Sequence, residues 1–295
     1  MRLLRAVIFF LSLIAPALGQ STCEHQIVVS VRNAKGNFVS NLQPAAFFAK
    51  IGGREASVTS ASVFAGPIRL IIVLDASGSM SGHGDMRRWK AIKSFTEHMV
   101  ASAPASVKMA MLVFNTHVIR KVEFGHSRTE LLAAVEELPD AKERTSLWDS
   151  LLETSVMFGD PAPGDAMLVM SDFGDNVSKA NVAEVQRAFV AKGIRMFGVG
   201  IYHPFANHEE NDLLAIVRQT GGDAITDIGK YRYAEAGFIK QLFDKVGTFY
   251  VLKITSSAPL PKRDRLDLSV LAGDGKKSKR VVLHYPQQLT ACFVQ

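Results

Sequence analysis

Cysteine is almost missing from this chain: Cys23 and Cys292 are the two among 295 residues. That excludes a small disulfide-scaffolded domain and a zinc module built on several thiolates. Beyond residue 19 no apolar run approaches the roughly 20 residues needed to span a bilayer, which excludes a polytopic membrane protein. There is no H-E-x-x-H, since His208-Glu209-Glu210 has no second histidine at the right spacing. The phosphate-cradling G-x-x-x-x-G-K-[ST] is missing too. Gly78-Ser79-Met80-Ser81-Gly82 has both glycines of a nucleophile elbow, but Met80 occupies its centre. Asp75 has no aspartate two residues on, which argues against a phosphoaspartyl phosphatase. Internal repeats and low-complexity segments are also absent. What remains is a globular composition, 47% hydrophobic and 21% charged, with a mild net charge of +6.

The first 19 residues read as a secretory signal. Arg2 and Arg5 precede an apolar core from Ala6 to Ala15, and Ala17-Leu18-Gly19 is a small-x-small cleavage site. Gln20-Ser21-Thr22 before Cys23 lacks the apolar residue of a lipidation site. A secreted or periplasmic protein is therefore expected, with no transmembrane helix after cleavage. Export and a mild charge both argue against a nucleic-acid partner. In an oxidising compartment Cys23 and Cys292 either pair, tying the ends of the mature chain together, or remain two thiols near its ends. Pairing is favoured because free thiols are uncommon in exported proteins.

Four segments follow from the patterning: 1–19 as signal, 20–66 β-rich, 67–248 alternating α/β, and 249–295 β-rich again. In the first β-rich segment Gln26 to Val31, Asn37 to Val39 and the stretches flanking Gly52-Gly53 read as strands and turns. Ile68 to Leu74 (IRLIIVL) is a continuous apolar, β-branched run suited to a strand buried on both faces. From there strands (Val107 to Phe114, Ala166 to Met170, Ile194 to Ile201) alternate with helical patterns (Arg128 to Leu138, Ser146 to Phe158, Asn181 to Lys192, Asp212 to Gln219, Ala234 to Val246). The expected fold class is α/β: a doubly wound, mostly parallel, Rossmann-like sheet with helices on both faces. Val118 to Phe124 alternates and reads as an antiparallel edge strand. A small β-rich domain is expected from the N- and C-terminal segments packed together.

Asp75-x-Ser77-x-Ser79 follows the first core strand. One carboxylate and two hydroxyls at this spacing converge on one point, with Gly78 permitting the turn. Such hard oxygen ligands suit Mg²⁺, Mn²⁺ or Ca²⁺ rather than zinc. Thr145 precedes a helix and Asp172 ends a later strand, both at the same edge of the sheet.

Asp75-Ala76-Ser77-Gly78-Ser79 resembles the DxSxS motif of von Willebrand factor type A domains. Thr145-Ser146-Leu147-Trp148-Asp149 is similar to their TxLYDA segment, and Ser171-Asp172-Phe173-Gly174-Asp175-Asn176 to their TDGxDN segment. Order and spacing agree over roughly Pro67 to Val251. A looser resemblance joins both β-rich segments to exported acidobacterial-type members of the family. The resemblance implies a metal-ion-dependent adhesion site: hydroxyl ligands from Ser77, Ser79 and Thr145, and Asp75 and Asp172 holding Mg²⁺ directly or through water. A partner protein's acidic side chain would fill the last coordination position. Phe173 stands where the family has glycine, so His83, Phe173 and Asp175 are expected on the partner-binding rim.

The function expected is an exported, non-catalytic binding or adhesion module. The alternatives are a cell-envelope scaffold with a merely structural metal, and a metal-assisted hydrolase with His83 or Asp175 as base. The basic stretches Lys262 to Arg265 and Lys276 to Arg280 read as solvated faces of edge strands.

Overall fold

The computed structural model describes residues 22–81, 86–200, 208–225, 236–257, 265–273, 275–289 and 293–294. The expected signal segment (1–19), His83 and Cys292 lie outside these residues.

The central sheet begins with β4 (Ile68–Asp75), which follows three strands of a second sheet, β1 (Thr22–Asn33), β2 (Phe47–Ile51) and β3 (Arg54–Val63). After β4 come α1 (Arg87–Ser102), β5 (Val107–Phe114), β6 (Val118–Val122), α2 (Arg128–Glu136), α3 (Leu147–Met157), β7 (Asp165–Ser171), α4 (Val182–Lys192), β8 (Arg195–Gly200), α5 (His208–Gln219), β9 (Ala224–Ile225) and α6 (Ala236–Gly247). The chain then returns to the second sheet as β10 (Tyr250–Ser257), β11 (Leu266–Val270), β12 (Val281–His284) and β13 (Phe293–Val294).

The six-stranded sheet has the order β6-β5-β4-β7-β8-β9. All its pairings are parallel except β5 with β6, the antiparallel edge. The apolar run of β4 explains its central place. Leu70, Ile72 and Leu74 pack with α1, α2 and α6 on one face, while Ile71 and Val73 pack with α3, α4 and α5 on the other. Each fully buried aliphatic contributes about 1.5–3 kcal/mol. Helix ends are marked locally. Ser127 with Glu130 and Asn181 with Glu184 form capping boxes, and Gly193 closes α4 in the left-handed conformation.

The second sheet runs β11-β2-β3-β10-β1-β12, with β13 also on β1, and its described pairs are antiparallel. The outer edge of β11 is met by the segment around β12: Ser278 N donates to Val270 O at 2.7 Å, and Leu266 N to Gln287 O at 3.0 Å. The sheet thereby curls towards closure around Ile27, Val29, Val31, Phe47, Ile51 and Leu252. It is joined to the α/β unit by Arg32, whose Nη2 donates to the carbonyls of Asp244 (2.9 Å) and Thr248 (3.2 Å) at the end of α6. Gln287 N also donates to Gln219 O at 3.2 Å, and the fully buried Arg195 lies 3.9 Å over the Phe249 ring. Cys23 is buried in β1 and disulfide-bonded. Among the described residues no helix is long and apolar enough to cross a membrane.

Candidate metal centre

The strand order reverses direction between β5 and β7, either side of β4. The crevice beyond the carboxyl ends of β4 and β7 is thus a topological switch point, the usual place for a ligand in such sheets. Asp75 is the last residue of β4 and Ser171 the last of β7. Ser171 Oγ donates to Asp75 Oδ2 at 2.5 Å, directly across this crevice. Ser77 N donates to Asp75 Oδ1 at 2.9 Å, and the Ser77 and Ser79 hydroxyls lie 3.1 Å apart. Ser77 is fully buried, whereas Ser79 faces solvent. The first motif therefore curls into a cup with a buried wall and an open lip.

The Thr145 loop leans on that cup. Lys142 N donates to Ala76 O at 2.9 Å, and Gly78 N to Glu143 O at 2.8 Å. A Cβ on Gly78 would stand 3.1 Å from the Glu143 carbonyl, so the close approach favours glycine. Thr145, 3% exposed, is fastened to the third motif as well. Its N–H donates to Asn176 Oδ1 at 3.0 Å, and its carbonyl accepts from the N–H groups of Asn176 (3.0 Å) and Val177 (3.1 Å). Three loops far apart in sequence are thereby knitted into one rim.

Burial, and then the negative charge of Asp172, push the Asp75 carboxyl up to about 7, against hydrogen bonds from Ser171 and Ser77 that favour ionisation. Asp172 is half-buried, and its Oδ1 accepts from Gly174 N at 3.3 Å. Two neighbouring carboxylates in a partly desolvated crevice are under strain that a cation would relieve. Among the described residues no three histidine, cysteine or carboxylate side chains gather to hold a metal. A cation here would rest on hydroxyl oxygens beside these two carboxylates, a donor set that fits a hard divalent ion.

Two of the expected rim residues do something else. Phe173 is 2% exposed, packed in the core beneath the sheet's α3–α4–α5 face, with a left-handed backbone (φ 65°). The apolar ring is drawn inward, where it is removed from water, so Phe173 is not a rim contact. Asp175 points into the fold: its Oδ1 accepts from Leu147 N at 2.7 Å and from Ser178 Oγ at 2.6 Å. Ser146, at the N-cap position of α3, makes no capping bond, and Asp175 supplies the cap from 28 residues away. Asp149 behaves alike, accepting from Lys179 N and Ala180 N at 2.8–3.2 Å. The sequence reading missed the roles of Ser171, Asn176 and Asp149. The only signal for them was their position inside the second and third motifs.

A family model for the von Willebrand factor type A domain matches residues 70–236, more than half of the chain. The chain belongs to the von Willebrand factor type A family. No curated protein sequence matches it. Among solved structures, a von Willebrand factor type A protein from Catenulispora acidiphila is similar at 12% identity and a TM-score of 0.50, over 92% of this chain and 75% of that one. Proximal thread matrix protein 1 from the mussel byssus, with a zinc-occupied MIDAS motif, is similar at 14% identity and a TM-score of 0.50, over 67% of this chain and 50% of that one. At these identities the likeness shows the fold. The six-stranded sheet and its helices are thus the VWA domain, and the curled antiparallel sheet is built from the segments flanking it.

Proposed function

We propose that this VWA domain is a binding module that recognises a protein ligand through a divalent cation. Ser77, Ser79 and Thr145 would supply hydroxyl oxygens, and Asp75 and Asp172 would hold the ion directly or through water. When bound, the cation supplies an electrophilic point for a carboxylate of the partner, because few anionic ligands surround it. The observation that carries this reading is the buried Asp75 carboxyl set beside Asp172 at the switch point and fringed by hydroxyls. The ordering of all three motifs into one rim supports it. Asp175, a candidate base for a hydrolase, is occupied by the α3 N-terminus, which favours binding over catalysis.

Oxygen ligands favour Mg²⁺, with Mn²⁺ or Ca²⁺ as alternatives, while the mussel relative's MIDAS holds zinc. The test is calorimetric titration of the chelated protein, residues 20–295, with all four ions. Binding is expected to at least one, and to vanish in both Ser77→Ala and Asp172→Ala. Binding that survives both substitutions would place the ion elsewhere. The amino-terminal leader suits a secreted or periplasmic module, and intact mass of the protein recovered from cells, beginning at Gln20, would support that.

A further inference from the structure

The loops bearing the proposed ligands also bear cations. Arg88, in the first turn of α1, donates through Nη1 to the Ser79 carbonyl at 3.3 Å. Arg144, exposed and adjacent to Thr145, donates through Nη2 to the Asn176 carbonyl at 2.6 Å. Each guanidinium is therefore tethered to the backbone of a motif loop, and the Gly78–Glu143 hydrogen bond (2.8 Å) holds the first two loops together. Lys142 and Lys179 add exposed cations to the same rim. Among the described residues the exposed carboxylates beside them are Asp140 and Glu143, whereas Asp149 and Asp175 bind backbone N–H groups of the fold. The described residues of the rim thus carry more cations than exposed carboxylates, around a crevice whose own carboxylates call for a metal.

We propose that this site selects a partner segment with clustered carboxylates, one for the cation and a neighbour for Arg88 and Arg144. The inference rests on the metal reading above and adds the partner's chemistry. A guanidinium carries five N–H donors in a planar fork matched to a carboxylate, and the tether described for each arginine uses one of them. Tethering also lowers the entropy lost when a partner docks. A partner with a single carboxylate engages the cation alone, whereas an acidic run engages both features and is steered in by the positive field.

The probes are end-blocked tetraglutamate and end-blocked Gly-Glu-Gly, titrated onto magnesium-saturated protein at low ionic strength. Tetraglutamate is expected to bind more tightly. Arg88→Gln and Arg144→Gln should each weaken it by about tenfold, the effect of losing a charge-assisted hydrogen bond. They should leave Gly-Glu-Gly nearly unchanged and magnesium affinity equal or slightly higher. Arg144→Lys, which keeps the charge without the fork, should fall between. Equal affinity for the two peptides, or tetraglutamate binding indifferent to both arginines, would overturn the proposal. So would an equal loss in Lys276→Gln/Lys277→Gln, at a loop of the other sheet, because it would mark non-specific charge attraction. If the parent protein fails to bind magnesium, the metal reading fails separately. Tetraglutamate is then titrated in chelator, where arginine-dependent binding upholds the rim's selectivity and its absence overturns it.

Discussion

Single side chains decide how the rim of this VWA domain is assembled. Asp75 is the pivot: it ends the central strand, accepts from its own loop at Ser77 and from the end of β7 at Ser171, and is buried beside a second carboxylate. Phe173 shows how a residue inside a binding motif can serve the core. It contacts the buried cluster containing Phe189 and Leu213, and its ring lies 3.6 Å from where a Cβ on Gly198 would be. Phe173→Ala should therefore cost about 3–5 kcal/mol of stability, the range for emptying a buried aromatic site. Chemical denaturation measures this directly. A rim residue in contact only with a partner would leave the denaturation midpoint unchanged, and that result would refute the burial described.

At the scale of elements, α3 is the informative case. Its own N-cap residue contributes no capping bond, and the cap comes from the loop after β7. Helix start, Thr145 loop and third motif are consequently one mechanical unit. Asp175→Ala should destabilise the domain by about 1–2 kcal/mol, as removal of a cap does. It should also weaken metal binding, because Thr145 is anchored to the neighbouring Asn176. Asp175→Asn keeps an acceptor oxygen and should recover most of the stability. A thermal melt and a metal titration of both variants separate these effects; an unchanged melt in the alanine variant would contradict the capping role. By contrast, α2 and α4 carry their caps within their own sequence, at Ser127 and Asn181.

At the scale of the molecule, the second sheet gathers segments from both ends of the chain around β1. That strand pairs with β10 along Thr22 to Val29, with β12 along Ser30 to Asn33, and with β13 at Cys23 and Glu24. The buried, disulfide-bonded Cys23 sits where β13 pairs. We expect Cys292 to be its partner, so that the bond pins the last strand. Intact mass after alkylation should show no modified thiol until a reductant is added, then two. Cys23→Ser should lower stability by up to about 4–5 kcal/mol on a loop-entropy model, less any strain relieved. Alkylation of both thiols in the unreduced folded protein would refute the pairing. The junction with the VWA domain is also close: Gly221 has a left-handed backbone (φ 78°), and a Cβ there would lie 3.0 Å from Tyr285 Cα, so glycine is favoured.

Much of the α/β half was legible in local patterning. A continuous apolar run can be buried on both faces only at the centre of a sheet, and β4 lies there. The alternation of Val118 to Phe124 marks an edge, and β6 is that edge. Periodicity and capping chemistry are local properties, which is why helices α2, α3 and α4 begin and end within two residues of where the pattern puts them. The three motifs were readable for the same reason, as short strings of oxygen-bearing residues. The direction of each side chain within those strings came from the packing of the fold around them. Phe173 turns inward because an apolar ring gains by leaving water, and Asp175 turns to α3 because helix N–H groups lack partners of their own. The convergence of Asp75 with Ser171, and of Thr145 with Asn176, spans 96 and 31 residues. Such contacts depend on strand order, and no local pattern records that order.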